Sequence, residues 1–161
     1  MSRWRGGGTR WISRDPSTVL AAGLAGAAFS GAPSTLWTLA RGDDLLDGAR
    51  AAGTLLLPRA RRSPVLLAAA IPVHLALSLG WAAVLARVIP ARREPAWGAL
   101  CGLAIAALDL GVIGRRIPAI RALPQGRQWA DHVAYGTAAG VALWLDRRSR
   151  APHHGYMHGG N

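Results

Sequence analysis

Four long stretches of the chain contain almost no charged side chains. They are residues 17–40, 63–86, 95–114 and 128–145. The only Asp, Glu, Arg or His residues inside them are His74, Asp109, Asp131 and His132. A helix needs roughly 20 mostly apolar residues to cross about 30 Å of hydrocarbon, and each stretch comes close to that length. The sequence therefore predicts an all-α integral membrane protein in which four spanning helices form one bundle.

The composition supports this prediction but leaves one alternative. Hydrophobic residues make up 51% of the chain and its mean hydropathy is +0.20, a modest value because Ala and Gly supply much of the apolar length. A soluble, Ala-rich helical bundle therefore stays open. With 161 residues, the chain has room for one membrane domain, residues 17–146. A basic tail (1–16) precedes this domain, and we expect a disordered tail with Arg and His (147–161) to follow it.

The net charge of +11 comes from 19 basic residues, all of them Arg. These arginines lie in both tails and in all three connections between the apolar stretches, so they do not form the single patch typical of a nucleic-acid-binding surface. Arg at the end of a spanning helix interacts with anionic lipid headgroups, at about 1 kcal/mol per residue. We therefore expect the lipid bilayer as a partner and no nucleic acid.

The distribution of Arg hardly decides the orientation in the membrane. With four spans, both tails and the second connection share one side, which carries 10 Arg, whereas the other side carries 9. The positive-inside rule barely separates these counts. We expect both tails in the cytoplasm, in a multi-pass protein of the bacterial cytoplasmic (inner) membrane.

A shorter helix is expected between the first two spans. Apolar or small residues recur at a helical period over 43–57, a segment too short and too polar at its start to cross a membrane. We predict an amphipathic helix lying at the interface. Its Asp43-Asp44-x-x-Asp47 resembles the motif with which prenyl-transferring enzymes bind diphosphate through magnesium. Those enzymes need a second metal-binding motif and a larger cavity. We therefore interpret these acids as first-turn residues that interact favourably with the helix dipole.

Proline and glycine give further local predictions. Pro33 disfavours helix at the preceding residue and removes a backbone donor, so we expect a break near Ser30, and Pro72 should bend the second span. In lipid, the freed carbonyl at such a break must bind a neighbouring helix or a hydroxyl group. Glycines at four-residue spacing, which permit close helix contact, are Gly98 and Gly102 in the third span and Gly136 and Gly140 in the fourth.

Five polar side chains inside the spans are the candidate functional residues. They are His74, Asp109, Asp131, His132 and Tyr135. Ionisable groups are costly in hydrocarbon, so they usually face the bundle interior or water. We hypothesise that the five form one hydrogen-bonded network. Either the network is structural, with Asp109 paired to His132 or Arg115, or it conducts protons or cations, because burial brings the pKa values of Asp and His towards neutrality.

Other chemistry has weak support in the sequence. His153, His154 and His158 could bind copper or nickel, although a disordered tail is the favoured interpretation. The single Cys101 excludes an intrachain disulfide. The sequence contains no phosphate-binding glycine loop, no zinc-spaced Cys/His set and no nucleophile with an evident base. We therefore expect no catalytic residue and no cofactor.

The pattern Asp131-His132-x-x-Tyr135-Gly136-x-x-x-Gly140, with the Ala/Gly-rich first span, resembles small uncharacterised multi-spanning membrane proteins of GC-rich bacteria. The resemblance covers most of residues 17–146 and implies no established activity. The leading functional hypothesis is a non-enzymatic membrane component, an accessory or interaction subunit that binds a membrane protein partner or a second copy of itself. The alternatives are a small proton- or cation-linked transporter or channel and, third, a lipid-modifying enzyme.

Overall fold

The computed structural model describes residues 15–150, and this part of the chain contains helices and no β-strand. The α-helices are α1 Pro16–Ser30, α2 Ala32–Arg41, α3 Asp47–Gly53, α4 Ser63–Val88, α5 Glu94–Leu108, α6 Pro118–Arg121 and α7 Gln125–Ser149. A π-helical turn, Asp109–Ile113, and a 3-10 turn, Gly114–Arg116, follow α5 directly. The all-α prediction is confirmed for these residues, whereas the candidate metal ligands His153, His154 and His158 lie outside them.

Three helical segments of the described chain are long and apolar enough to cross a membrane. They are Pro16–Arg41, which comprises α1 and α2, Ser63–Val88 and Glu94–Arg116, with 26, 26 and 23 residues. α7 has 25 residues but is not among them, because side chains such as Asp131, His132 and Asp146 lower its mean hydropathy. The structure therefore has three candidate spans where the sequence predicted four.

The break predicted in the first span is confirmed. α1 ends at Ser30 and α2 begins at Ala32, with Gly31 between them and Pro33 in the first turn of α2. Proline fits a first helical turn because its missing N–H would have no intrahelical acceptor there. The result is a 26-residue segment with one discontinuity in its backbone hydrogen bonds.

The helix after the first span is shorter than predicted. α3 covers only Asp47–Gly53 and not the whole of 43–57. The Asp44 carboxylate accepts the backbone N–H of Leu46 at 2.8 Å. Such a turn competes locally with helix formation. Two of the three acids of the Asp-rich motif therefore precede the helix, and only Asp47 lies in its first turn.

The long helices pack in the spatial order α4, α1, α7 and α5, so that α7 lies between α1 and α5. The apolar core where they meet consists of Ala22, Ala82, Leu85, Ala86, Ile89, Ile105, Tyr135, Ala139 and Leu143. Many large apolar side chains face outwards, among them Leu36, Ile71 and Leu100, each more than half exposed. An outer surface this apolar is unusual for a soluble protein and fits a helix bundle surrounded by lipid.

Helices α5 and α7 contact each other through glycines. A Cβ atom at Gly98 would collide with the Gly136 carbonyl oxygen, and a Cβ atom at Gly136 with the Gly98 carbonyl oxygen. Gly102 and Gly140 likewise face carbonyl oxygens of the opposite helix. Backbones approach this closely only where both helices present small residues. All four glycines of the predicted packing positions therefore lie in the α5–α7 contact.

Candidate functional site inside the bundle

Asp109 and His132 form the one direct contact among the five polar residues singled out from the sequence. The distance between His132 Nε2 and Asp109 Oδ2 is 3.6 Å, and each side chain is about one-fifth exposed. The indole Nε1 of Trp81 donates a hydrogen bond of 3.1 Å to the same Asp109 oxygen. This carboxylate therefore connects α4, α5 and α7 at one point.

A hydrogen bond at Nδ1, the other ring nitrogen of His132, shows that this nitrogen is protonated. Nδ1 lies 2.7 Å from the Gln128 carbonyl oxygen. Because a carbonyl oxygen can only accept, Nδ1 carries a proton. A second proton on Nε2 would make an imidazolium facing the Asp109 carboxylate. His132 can therefore carry one ring proton or two, and this gain or loss of a proton next to a carboxylate is the chemistry of a proton-binding site.

Asp109 occupies the first position of the π-helical turn. The backbone N–H of Gly114 bonds to the Asp109 carbonyl, five residues back instead of four. Single π turns inside α-helices are rare and frequently occur at functional sites. Neither this turn nor the contribution of Trp81 was predicted, and the Trp81 contact depends on the packing of helices that are distant in sequence.

Asp131 binds a backbone group and not another titratable side chain. Its Oδ1 accepts the N–H of Ser34 at 2.9 Å. Ser34 is in the first turn of α2, which follows the break at Gly31 and has no side-chain cap of its own. The first N–H groups of a helix have no intrahelical partner. Asp131 therefore acts as the N-cap of α2 from another helix, in the role that a local Asp or Ser usually has.

His74 binds the other side of the same break. The N–H of Gly31 is directed to the Phe29 carbonyl, so Gly31 does not supply the bond that Ala27 would receive in a continuous helix. The Ala27 carbonyl instead accepts from His74 Nε2 at 3.1 Å and from Ser30 Oγ at 3.2 Å. A neighbouring helix and a hydroxyl therefore satisfy the Ala27 carbonyl at the break, whereas the Phe29 carbonyl, four residues before Pro33, accepts the N–H of Gly31.

Tyr135 also binds backbone. Its hydroxyl donates to the Ser78 carbonyl of α4 at 2.5 Å, and its ring fills the space beside Gly26, where a Cβ atom would collide with it. In the described residues, the five side chains thus make four separate contacts: His132 with Asp109, Asp131 with α2, His74 with α1, and Tyr135 with α4.

Ion pairs join the helices at both ends of the bundle. Arg147 binds the fully buried Glu94 carboxylate with two hydrogen bonds, one of them 2.9 Å from Nη2 to Oε2. At the opposite end, Arg127 donates to Thr38 Oγ1 at 2.8 Å and to Asp43 Oδ2 at 3.2 Å. The sequence analysis missed both contacts. One available signal was that Glu94 is the only acid between Asp47 and Asp109.

The three acids of the Asp-rich motif pair with arginine side chains of the chain. Arg50 pairs with both Asp44 and Asp47. The backbone N–H of Leu46, and then the Arg50 guanidinium, hold the pKa of Asp44 below its ordinary value. Each acid of this motif is therefore already bound to a cation of the chain, Asp43 through Arg127.

The acidic side chains of the described residues are bound within the chain. Residues 15–150 contain no group of three His, Cys, Asp or Glu that could hold a metal ion. Every Asp and Glu of the chain lies in this range, and each forms a hydrogen bond or an ion pair. Within the same range, no buried side-chain nitrogen or oxygen lacks a hydrogen-bond partner.

Comparisons of the chain with protein-family models, with curated proteins and with solved structures found no match.

Proposed function

We propose that this chain is a non-enzymatic integral membrane protein, an accessory or interaction component of the bacterial cytoplasmic membrane. The observation that carries this proposal is the use of the polar groups within the helices. His74 and Asp131 satisfy the backbone at the break between α1 and α2, and Tyr135 binds a carbonyl of α4. These side chains bind backbone groups of neighbouring helices and so stabilise the bundle.

In this proposal α7 is a fourth spanning helix. At 1.5 Å per residue its 25 residues extend roughly 37 Å, enough to cross the hydrocarbon. Its partners support a full crossing, because Arg127 near its start contacts the end of α2 and Arg150 just beyond its end contacts Thr18 near the start of α1. Asp131 and His132, two of the polar groups that lower its hydropathy, contact groups outside α7, which is where a spanning helix tolerates them.

The short helix α3 lies at the interface in this arrangement. It follows the end of the first span, and the exposed Leu55, Leu56 and Leu57 come directly after it. Arg59, Arg61 and Arg62 then precede α4. Apolar side chains next to cationic ones are typical of a segment at the boundary between hydrocarbon and anionic headgroups. With four spans, both tails share one side, which we assign to the cytoplasm.

The test of this proposal is ion flux. We expect liposomes that contain the purified chain and an entrapped pH-sensitive dye to show no more proton flux under an imposed potential than empty liposomes. Cross-linking in native membranes should then yield a defined complex with a membrane protein partner or a second copy. Wild-type flux that Asp109→Asn abolishes would overturn the proposal.

A proton- or cation-linked transporter is the second candidate, and the Asp109–His132 pair favours it. This contact joins two titratable groups 3.6 Å apart at a π-helical turn. If it conducts protons, Asp109→Asn should remove flux while Asp131→Asn, which changes a helix cap, should retain it. If it is structural, both variants should affect stability and neither should affect flux.

A further inference from the structure

A pocket of about 480 Å³ lies where the third candidate span ends. Its lining residues are Leu110, Gly111, Arg115, Arg121, Gln125 and Trp129. They come from the π-helical turn, the 3-10 turn, α6 and the first two turns of α7. The volume lies within the range of about 300–1,000 Å³ common for small-molecule sites.

The two arginines of this pocket differ from those that bind acids. Arg50, Arg127, Arg147 and Arg150 each pair with a carboxylate. Among residues 15–150, no ion pair involves Arg115 or Arg121. Two guanidinium groups that line one cavity without a carboxylate attract an anion. The planar guanidinium fits phosphate oxygens with two parallel hydrogen bonds, so phosphate is the anion best matched to this pair.

The rest of the pocket is amphipathic. Leu110 is buried and Trp129 is half-buried, and Trp is a residue that favours the membrane interface. Gly111 leaves open space, since a Cβ atom there would meet nothing within 4 Å. Gln125 donates hydrogen bonds of 3.0 Å to the Ile120 carbonyl of α6 and 2.9 Å to the Leu123 carbonyl of the α6–α7 connection. These bonds hold the chain on both sides of Arg121 and leave the Gln125 amide oxygen as an acceptor for a hydroxyl group.

We propose that this pocket binds the headgroup phosphate of an anionic phospholipid. The inference rests on the proposed membrane location, which puts Arg115, at the end of a span, at headgroup depth. The neighbouring Val112 and Ile113 are 53% and 46% exposed. A lipid that places its phosphate between the two arginines can cover these side chains with its acyl chains, whereas free phosphate cannot.

The test compares lipid binding by the purified full-length chain and two matched double variants. Arg115→Gln with Arg121→Gln removes the pocket arginines. Arg59→Gln with Arg61→Gln removes the same charge from exposed positions at the same end of the bundle. We expect the dissociation constant for phosphatidylglycerol, measured by native mass spectrometry, to rise at least about tenfold in the first variant and less than about twofold in the second. Phosphatidylcholine binding should be equal in all three proteins.

A third variant keeps the charge and fills the cavity. Gly111→Leu should weaken phosphatidylglycerol binding as well, and because its side chain enters open space it should leave the bundle folded. An equal loss of phosphatidylglycerol binding in both Arg double variants would overturn the proposed pocket site and indicate a general attraction of anionic lipid to the charged surface. Displacement of the lipid by millimolar inorganic phosphate would overturn it in favour of a small-anion site. In either case the variants would still sediment with membranes, whereas failure of the wild type to do so would contradict the proposed membrane location itself.

Discussion

The break at Gly31 is stabilised by two side chains that belong to other helices. His74 from α4 binds the carbonyl side and Asp131 from α7 binds the N–H side. In a soluble protein, water could bind these groups, but hydrocarbon offers no partner and each unsatisfied group costs several kcal/mol. Both side chains are ionisable and therefore costly in hydrocarbon, and the backbone groups that they satisfy offset this cost.

Asp131→Ala should therefore destabilise the protein. The Ser34 N–H would lose its acceptor, and loss of an N-cap typically costs about 0.5–2 kcal/mol. Asp131→Asn keeps a carbonyl oxygen in the same place, so we expect it to cost less than half as much. The free energy of unfolding in detergent micelles measures both. Equal destabilisation by the two variants would show that charge, and not the cap, is what matters at this position.

Asp44 should titrate at a lower pH than a free aspartate. Its pKa is lowered first by the Leu46 N–H and then by Arg50. A lowered pKa means that the carboxylate stabilises the turn before α3 fully above the ordinary value of about 3.9, and that this contribution is lost as the pH falls through the lowered value.

The carboxyl carbon shift of Asp44 in an NMR titration reports this directly. Arg50→Gln should raise the midpoint but leave it below the ordinary value, because the bond from Leu46 remains. A wild-type midpoint at or above the ordinary value would contradict the arrangement of this turn.

At the level of the helices, residue size sets the spacing. α5 and α7 touch backbone to backbone through glycines. Between α4 and α5, in contrast, contact is made by the long side chain of Trp81 reaching Asp109. Since lipid gives no hydrophobic drive for helix association, close packing at the glycine contact is a main source of stability.

Gly136→Ala tests this contact. Its Cβ would collide with the Gly98 carbonyl oxygen, so the two helices must separate, and overpacking of this kind costs about 1–3 kcal/mol. Gly80→Ala is the matched control within α4, since a Cβ there meets nothing within 4 Å. We expect the control to be neutral or slightly stabilising, because Ala favours helix over Gly. Thermal unfolding in detergent measures both variants. An equal change in the unfolding temperature of the two would argue against the contact.

The Glu94–Arg147 pair joins the start of α5 to the end of α7. Glu94 is fully buried, so Arg147→Met, which removes the guanidinium that binds it with two hydrogen bonds, should lower the free energy of unfolding. The loss is moderated by solvent, because the Arg147 side chain is 43% exposed. Combining it with Glu94→Leu should restore part of the loss in the free energy of unfolding. Additive losses would mean that the two residues do not interact.

Over the whole molecule, the sequence predicted helices better than contacts. The long uncharged stretches predicted the helices and Pro33 predicted the break, because a helix and its interruption both depend on local sequence. The glycine spacing named the residues that meet between α5 and α7. The start of α3 was misjudged because Asp44 turns the chain locally. The partners of Asp131 and His74 could not be predicted because they depend on which helices lie side by side.

Whether the chain crosses the membrane three or four times depends on α7. In a Cys101→Ala background, single cysteines at Gly126→Cys and Ser149→Cys stand at the two ends of α7, and both positions are exposed. Labelling of right-side-out and inside-out membrane vesicles with a membrane-impermeant maleimide measures the side of each. With α7 as a fourth span, we expect the two cysteines to react from opposite sides of the membrane. Reaction of both from the same side would contradict it, because α7 would then not cross.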